Sequence, residues 1–139
     1  MQRHDLGASF ARLTRALIEA EGPILRAHDV EMWDYAVLST LEASDAPTQS
    51  ELAASVHRDK TRIIPILDRL EVRGLLSRTP DPADRRNRVV SLTDAGRALV
   101  AACRADIRAM EKAFLSKVPA AKRQTFIEVL DDLADHLTP

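Results

Sequence analysis

A capped helix pair running into a basic hairpin restricts this chain more than any other stretch. Thr48-Gln49-Ser50-Glu51 has the form of a capping box, in which the threonine hydroxyl accepts the amide N–H three residues on and the glutamate reaches back to the cap. The short helix it starts carries Leu52, Ala53 and Val56 inward, then meets a polar break over residues 55–59 of the length a tight helix-helix turn needs. Another helix begins at Lys60-Thr61-Arg62, with Arg58 or Asp59 before it. Its buried stripe is Ile63, Ile66, Leu67 and Leu70, and Gly74 suits the left-handed position after its end. Residues 75–79 and 88–92 are β-prone and joined by a charged loop, Asp81-Pro82-Ala83-Asp84-Arg85-Arg86-Asn87, so they read as a hairpin. That order predicts a mainly α chain with a small β-hairpin wing, a winged helix-turn-helix whose second helix presents a polar first turn.

The flanks read as helical scaffold. Leu6, Phe10, Leu13 and Leu17 line one face of a first helix, interrupted at Gly22-Pro23, where the helix is either kinked or split. A second helix runs from about Glu31 to Glu42 with Trp33, Val37, Leu38 and Leu41 apolar, and Ser44-Asp45-Ala46-Pro47 stops it. Thr93 is placed to cap a long helix with Asp94 at its positive end and Leu99, Cys103, Ile107, Met110 and Phe114 along its apolar stripe. Pro119 opens the last helix, whose stripe is Phe126, Val129, Leu130, Leu133 and Leu137. A face that apolar is most simply covered by the first helix and a second copy of the chain, which predicts a homodimer.

At 139 residues the chain is the size of one domain, and 45% hydrophobic residues suffice for a core. The net charge of −1 argues against a polyanionic partner only on average. Residues 58–88 hold nine basic and five acidic side chains, a local balance of +4 inside an otherwise acidic chain. A single cysteine excludes an internal disulfide and a zinc knuckle, and it sits on an apolar stripe, where a thiol is an inert small hydrophobe rather than a redox sensor. No run is apolar enough for a signal or a membrane span, so the chain is expected to be cytoplasmic. Ser55, His57 and Asp59 supply the residue types of a catalytic triad but cannot line up as one within a single turn. His4, His28, His57 and His136 have no metal-ligand spacing. No catalytic site, metal or cofactor is therefore expected.

Thr48-Gln49-x-Glu51-Leu52-Ala53, the run Leu67-Asp68-Arg69-Leu70-Glu71-x-x-Gly74-Leu75-Leu76, the wing Asp81-x-x-Asp84-Arg85-Arg86 and Leu92-Thr93-x-x-Gly96 together resemble the MarR family of bacterial transcription regulators. The likeness covers nearly the whole chain, and the wing joined to Leu-Thr-x-x-Gly is its most specific part. It implies a dimeric winged-helix regulator of pseudo-palindromic double-stranded DNA, often a repressor released by a small anionic or phenolic effector or by oxidation. Residues 31–94 would form the DNA-binding region and 1–30 with 95–139 the dimerisation region.

Carried over position by position, the resemblance puts Arg58, Lys60, Thr61 and Arg62 in the major groove or on its flanking phosphates, and Gln49 and Ser50 on the backbone. Arg86 would enter the minor groove with Arg85 and Arg88 on phosphates, and Asp84 or Asp68 would brace the wing arginine. Phe10, His28, Trp33, Tyr35 and Met110 are the candidates to line an effector pocket where the flanking helices meet the winged region. Pro65 departs from a regular recognition helix and predicts a bend or a widened first turn rather than a break. The rival reading is a winged helix used as a protein-interaction module, its wing gripping an acidic partner.

Overall fold

The computed structural model describes residues 5–44 and 46–137. Asp45 of the expected helix stop and His4 lie outside the described residues. The order is α1 (Leu6–Ala27), α2 (Met32–Glu42), α3 (Gln49–Ser55), α4 (Lys60–Val72), β1 (Leu76–Pro80), β2 (Arg88–Leu92), α5 (Asp94–Leu115) and α6 (Ala120–Leu137). β1 and β2 pair antiparallel from Leu76 opposite Leu92 to Pro80 opposite Arg88. Pro47 extends this hairpin by accepting the Val90 amide at 2.9 Å.

Local chemistry explains most boundaries. Thr48 Oγ1 accepts the Glu51 amide at 3.2 Å while Glu51 Oε1 accepts the Thr48 amide at 3.3 Å, the reciprocal cap that starts α3. Of the two residues that could precede α4, Asp59 is the cap: its carboxylate accepts the Arg62 amide at 2.9 Å. α4 then runs unbroken through Pro65, which removes only one amide from the ladder. Gly74 adopts φ 74°, and the Leu75 amide returns to the Leu70 carbonyl at 3.0 Å to close the helix end. α1 is not split at Gly22-Pro23; it is one helix of 22 residues with Pro23 inside it.

Two apolar clusters hold these elements. The larger gathers Val37, Leu38 and Leu41 of α2, Leu52 of α3, Ile63, Leu67 and Leu70 of α4, Leu76 and Val90 of the hairpin and Val100 of α5. The smaller joins Leu25 and Val30 to Cys103 and Ile107 of α5, and Tyr35 and Leu99 touch both. Thr93 makes the junction: its hydroxyl donates to the Gly74 carbonyl at 2.7 Å and accepts the Gly96 amide at 3.1 Å. Gly96 is required there because a Cβ would sit 2.1 Å from the Leu75 carbonyl oxygen.

α6 is different in kind. None of its residues is buried, although Phe126, Ile127, Val129 and Leu130 stand on it. Leu6, Phe10 and Leu13 of α1 are exposed as well. Among the described residues no helix is long and apolar enough to cross a membrane.

Candidate nucleic-acid interface

The first turn of α4 points Lys60, Thr61 and Arg62 to solvent because Ile63, Ile66 and Leu67 take the opposite side into the core. Arg62 reaches the Asp59 carboxylate only loosely, at 3.6 Å, and stays 71% exposed. Ser50 at the start of α3 is exposed too. Arg58, in the turn between the helices, is half-buried, and its guanidinium lies over the Trp33 ring, 3.7 Å from the centroid. His57 beside it takes φ 55°, a left-handed conformation that turns the chain from α3 into α4.

At the wing, the Asp81 carboxylate accepts the Ala83 amide at 2.9 Å, and the Asn87 carbonyl accepts the Asp81 amide at 3.0 Å, closing the loop. Asp84 holds Arg86 three times, accepting its amide at 3.1 Å, its Nε at 3.2 Å and its Nη2 at 3.4 Å, while the Arg86 side chain remains 91% exposed. The Asp84 carboxyl sits below the usual range chiefly through Arg86, with a further, smaller pull from the charge of Lys60. Arg85 and Arg88 are exposed on the same finger. Of the two carboxylates expected to brace the wing arginine, Asp84 does so; Asp68 is committed elsewhere.

That other commitment is Arg78 on β1, which pattern reading left without a role. Its side chain is only 7% exposed and donates to Asp68 at 2.5 Å, Glu71 at 3.0 Å and Gln49 Oε1 at 3.2 Å. One buried guanidinium therefore ties the base of the wing to α3 and α4. Its hydrogen bond holds the Glu71 carboxyl below its ordinary value of 4.5. Gln49 is correspondingly the one expected DNA contact whose side chain is not on the surface: it is 6% exposed and turned to Arg78. The alternation of β1, with Arg78 two residues after buried Leu76, was the available signal. Asp34, buried on α2 and paired with Arg69 of α4, was likewise missed although it lies on the stripe of Val37, Leu38 and Leu41.

The five expected pocket residues are not gathered. Phe10 lines a groove of about 380 Å³ between α1, α5 and α6, together with Leu13, Leu17, Phe114 and Leu130. His28 instead pairs with Asp106 at 2.7 Å, Trp33 carries Arg58, and Tyr35 and Met110 pack on the core clusters. Each of these side chains has a partner of its own, charged for His28 and Trp33 and apolar for Phe10, Tyr35 and Met110, which spacing along helices does not specify. Cys103 is buried against Leu25 and Val30, and burial, with help from Asp106, pushes its thiol pKa up.

The MarR family model matches residues 30–87, which run from the start of α2 to the wing tip. The uncharacterized HTH-type regulator YdgJ of Bacillus subtilis is 31% identical over 101 residues, 73% of this chain and 62% of its own length. The HTH-type transcriptional repressor NicR of Pseudomonas putida is 30% identical over 101 residues, 73% of this chain and 64% of its own. The chain thus spans under two thirds of the length of those two regulators. The repressor CouR bound to a 23-mer DNA duplex superposes with a TM-score of 0.78 at 27% identity, over 94% of this chain and 92% of that one. CouR from Rhodococcus jostii bound to p-coumaroyl-CoA superposes at 0.74 over the same shares, also at 27% identity. With the helix order, the wing and the Thr93–Gly96 junction all of one pattern, the chain is similar to the MarR family.

Proposed function

We propose that this chain is a transcription regulator, a repressor that binds an inverted repeat in double-stranded DNA as a homodimer and responds to a small-molecule effector. The observation that carries the DNA reading is the pairing of an exposed basic first turn on α4 with exposed Arg85, Arg86 and Arg88 on the wing. Arg62 and Lys60 suit the major groove, and Arg86, held upright by Asp84, suits a narrow minor groove where negative potential is concentrated. Ser50 and Arg88 suit phosphates. The relative bound to a 23-mer DNA duplex supports the DNA-binding reading.

The dimer reading rests on α6 and the adjoining face of α1, where Phe10, Leu13, Phe126 and Leu130 leave an apolar surface that a second copy would cover. Two α4 helices related by a two-fold axis would then meet grooves about 34 Å apart. Effector response is supported by the relative bound to p-coumaroyl-CoA. A thermal-shift screen of anionic and phenolic compounds tests it, since binding to the native state alone raises the melting temperature.

The DNA test is a gel shift on DNA upstream of the chain's own gene, with Arg62→Ala and Arg86→Ala beside the unmodified protein. Both substitutions should abolish or weaken a specific shift, and affinity should fall roughly a thousandfold or more between about 50 and 200 mM salt if about six to ten phosphates are contacted. Light scattering of Leu130→Asp should give a monomer where the unmodified chain gives a dimer. If no duplex shifts at low salt, the protein-interaction module becomes the better reading.

A further inference from the structure

Trp33, the chain's single tryptophan, stands on the first turn of α2 and is 39% exposed, yet it is not idle. Arg58 reaches it from the turn before α4 and covers one face of the ring at 3.7 Å from the centroid. The Arg58 Nε is buried without a hydrogen-bond partner.

Three other arginines that cross between elements are held by carboxylates, Arg69 by Asp34, Arg78 by Asp68 and Glu71, and Arg104 by Glu42, while Arg73 donates to the Asp29 backbone carbonyl. Those carboxylate pairs cancel the positive charge. Arg58 has no carboxylate partner among the described residues and is held by a neutral π face. Such a face fixes the guanidinium plane and leaves both the charge and the outer N–H edge available.

We infer that Trp33 is a positioning residue for DNA binding: its ring holds the Arg58 guanidinium ahead of α4 so that the free edge meets a backbone phosphate beside the groove. The inference rests on the DNA-binding reading above. A long side chain ordinarily loses rotamer freedom when it docks, and a stacked one has lost it before the partner arrives.

The test uses the full chain and a fluorescein-labelled duplex enriched by the unmodified protein from a random-sequence pool, with anisotropy read at several salt concentrations. Trp33→Leu should weaken binding roughly three- to tenfold per site, the range of an aromatic-cation contact, and Trp33→Phe should restore most of it. Arg58→Met should weaken binding and lower the salt slope by about one per protomer. Trp33→Leu should add nothing in the Arg58→Met background. Without DNA, acrylamide quenching of Trp33 should rise in Arg58→Met because one ring face is uncovered. Should Trp33→Leu fail to fold, Trp33→Phe, Arg58→Met and the quenching comparison still decide.

Unchanged quenching, or a Trp33→Leu loss of equal size with and without Arg58, overturns the inference. In that case weakened binding by Arg62→Ala leaves the DNA reading standing. Failure to enrich any duplex removes both.

Discussion

Gly96→Ala is expected to destabilise the fold even though it replaces the poorest ordinary helix former with the best. The added methyl would lie 2.1 Å from the Leu75 carbonyl oxygen and 2.7 Å from Leu92 Cδ1. The leucine methyl can rotate away. The carbonyl cannot, because it accepts the Thr93 amide at 3.2 Å. An ordinary carbon-oxygen contact is about 3.3 Å, so α5 must retreat by about 1 Å and strain the Thr93 bonds to Gly74 and Gly96. Overpacking costs about 1–3 kcal/mol and a weakened cap about 1, against a gain in helix propensity of about 1 kcal/mol. The net loss of about 1–3 kcal/mol corresponds to a fall in melting temperature of roughly 3–10 °C at this chain length. Gly7→Ala is the control, since Gly7 is also helical but has nothing within 4 Å of its would-be Cβ. Thermal unfolding at one fixed protein concentration should show Gly96→Ala lowered and Gly7→Ala unchanged or raised. Matching melting temperatures for the two variants would refute the close-approach argument.

Other outcomes follow from the same contacts. Arg78 depresses the Glu71 pKa, so this pair stabilises the fold above the ordinary glutamate value of 4.5 and the contribution is lost as pH falls through the lower folded value. The stability gap between the unmodified chain and Glu71→Gln, measured by urea unfolding from neutral to acid pH, should therefore close at low pH and be widest at neutrality. Cys103, buried with a raised pKa, should react with a thiol reagent only as fast as the protein unfolds; rapid labelling of the native protein contradicts its burial. His57→Gly should stabilise by about 0.5–1 kcal/mol, because the left-handed φ of 55° strains a side-chain-bearing residue there; a lower urea midpoint would contradict that.

Features set by neighbours in sequence were readable in advance. Thr48 with Glu51, Gly74 after α4 and Thr93 at the head of α5 each act within one helical turn, so residue type alone announces them. Gly22-Pro23 left a kink and a split both open because one missing amide suggests an interruption, and the 22-residue helix is not split there. The candidate site was legible as an exposed basic surface and illegible as a set of partners. Gln49, Leu52, Ala53 and Val56 share one helical face, yet a polar residue at a helix start was read as outward; only the buried Arg78, 29 positions away, gives it a reason to turn in. His28 and Trp33 were grouped by chemistry, but Asp106 and Arg58, which claim them, come from elsewhere in the chain.

Arg78 also bears on how this molecule can move. With one guanidinium bonded to Gln49, Asp68 and Glu71, the base of the wing is tied to α3 and α4. At that base the three behave like the head of a single tool. An adjustment that leaves these bonds intact is made at the prong tips or in the handle, by tilting α5 and whatever α1 and α6 lean on.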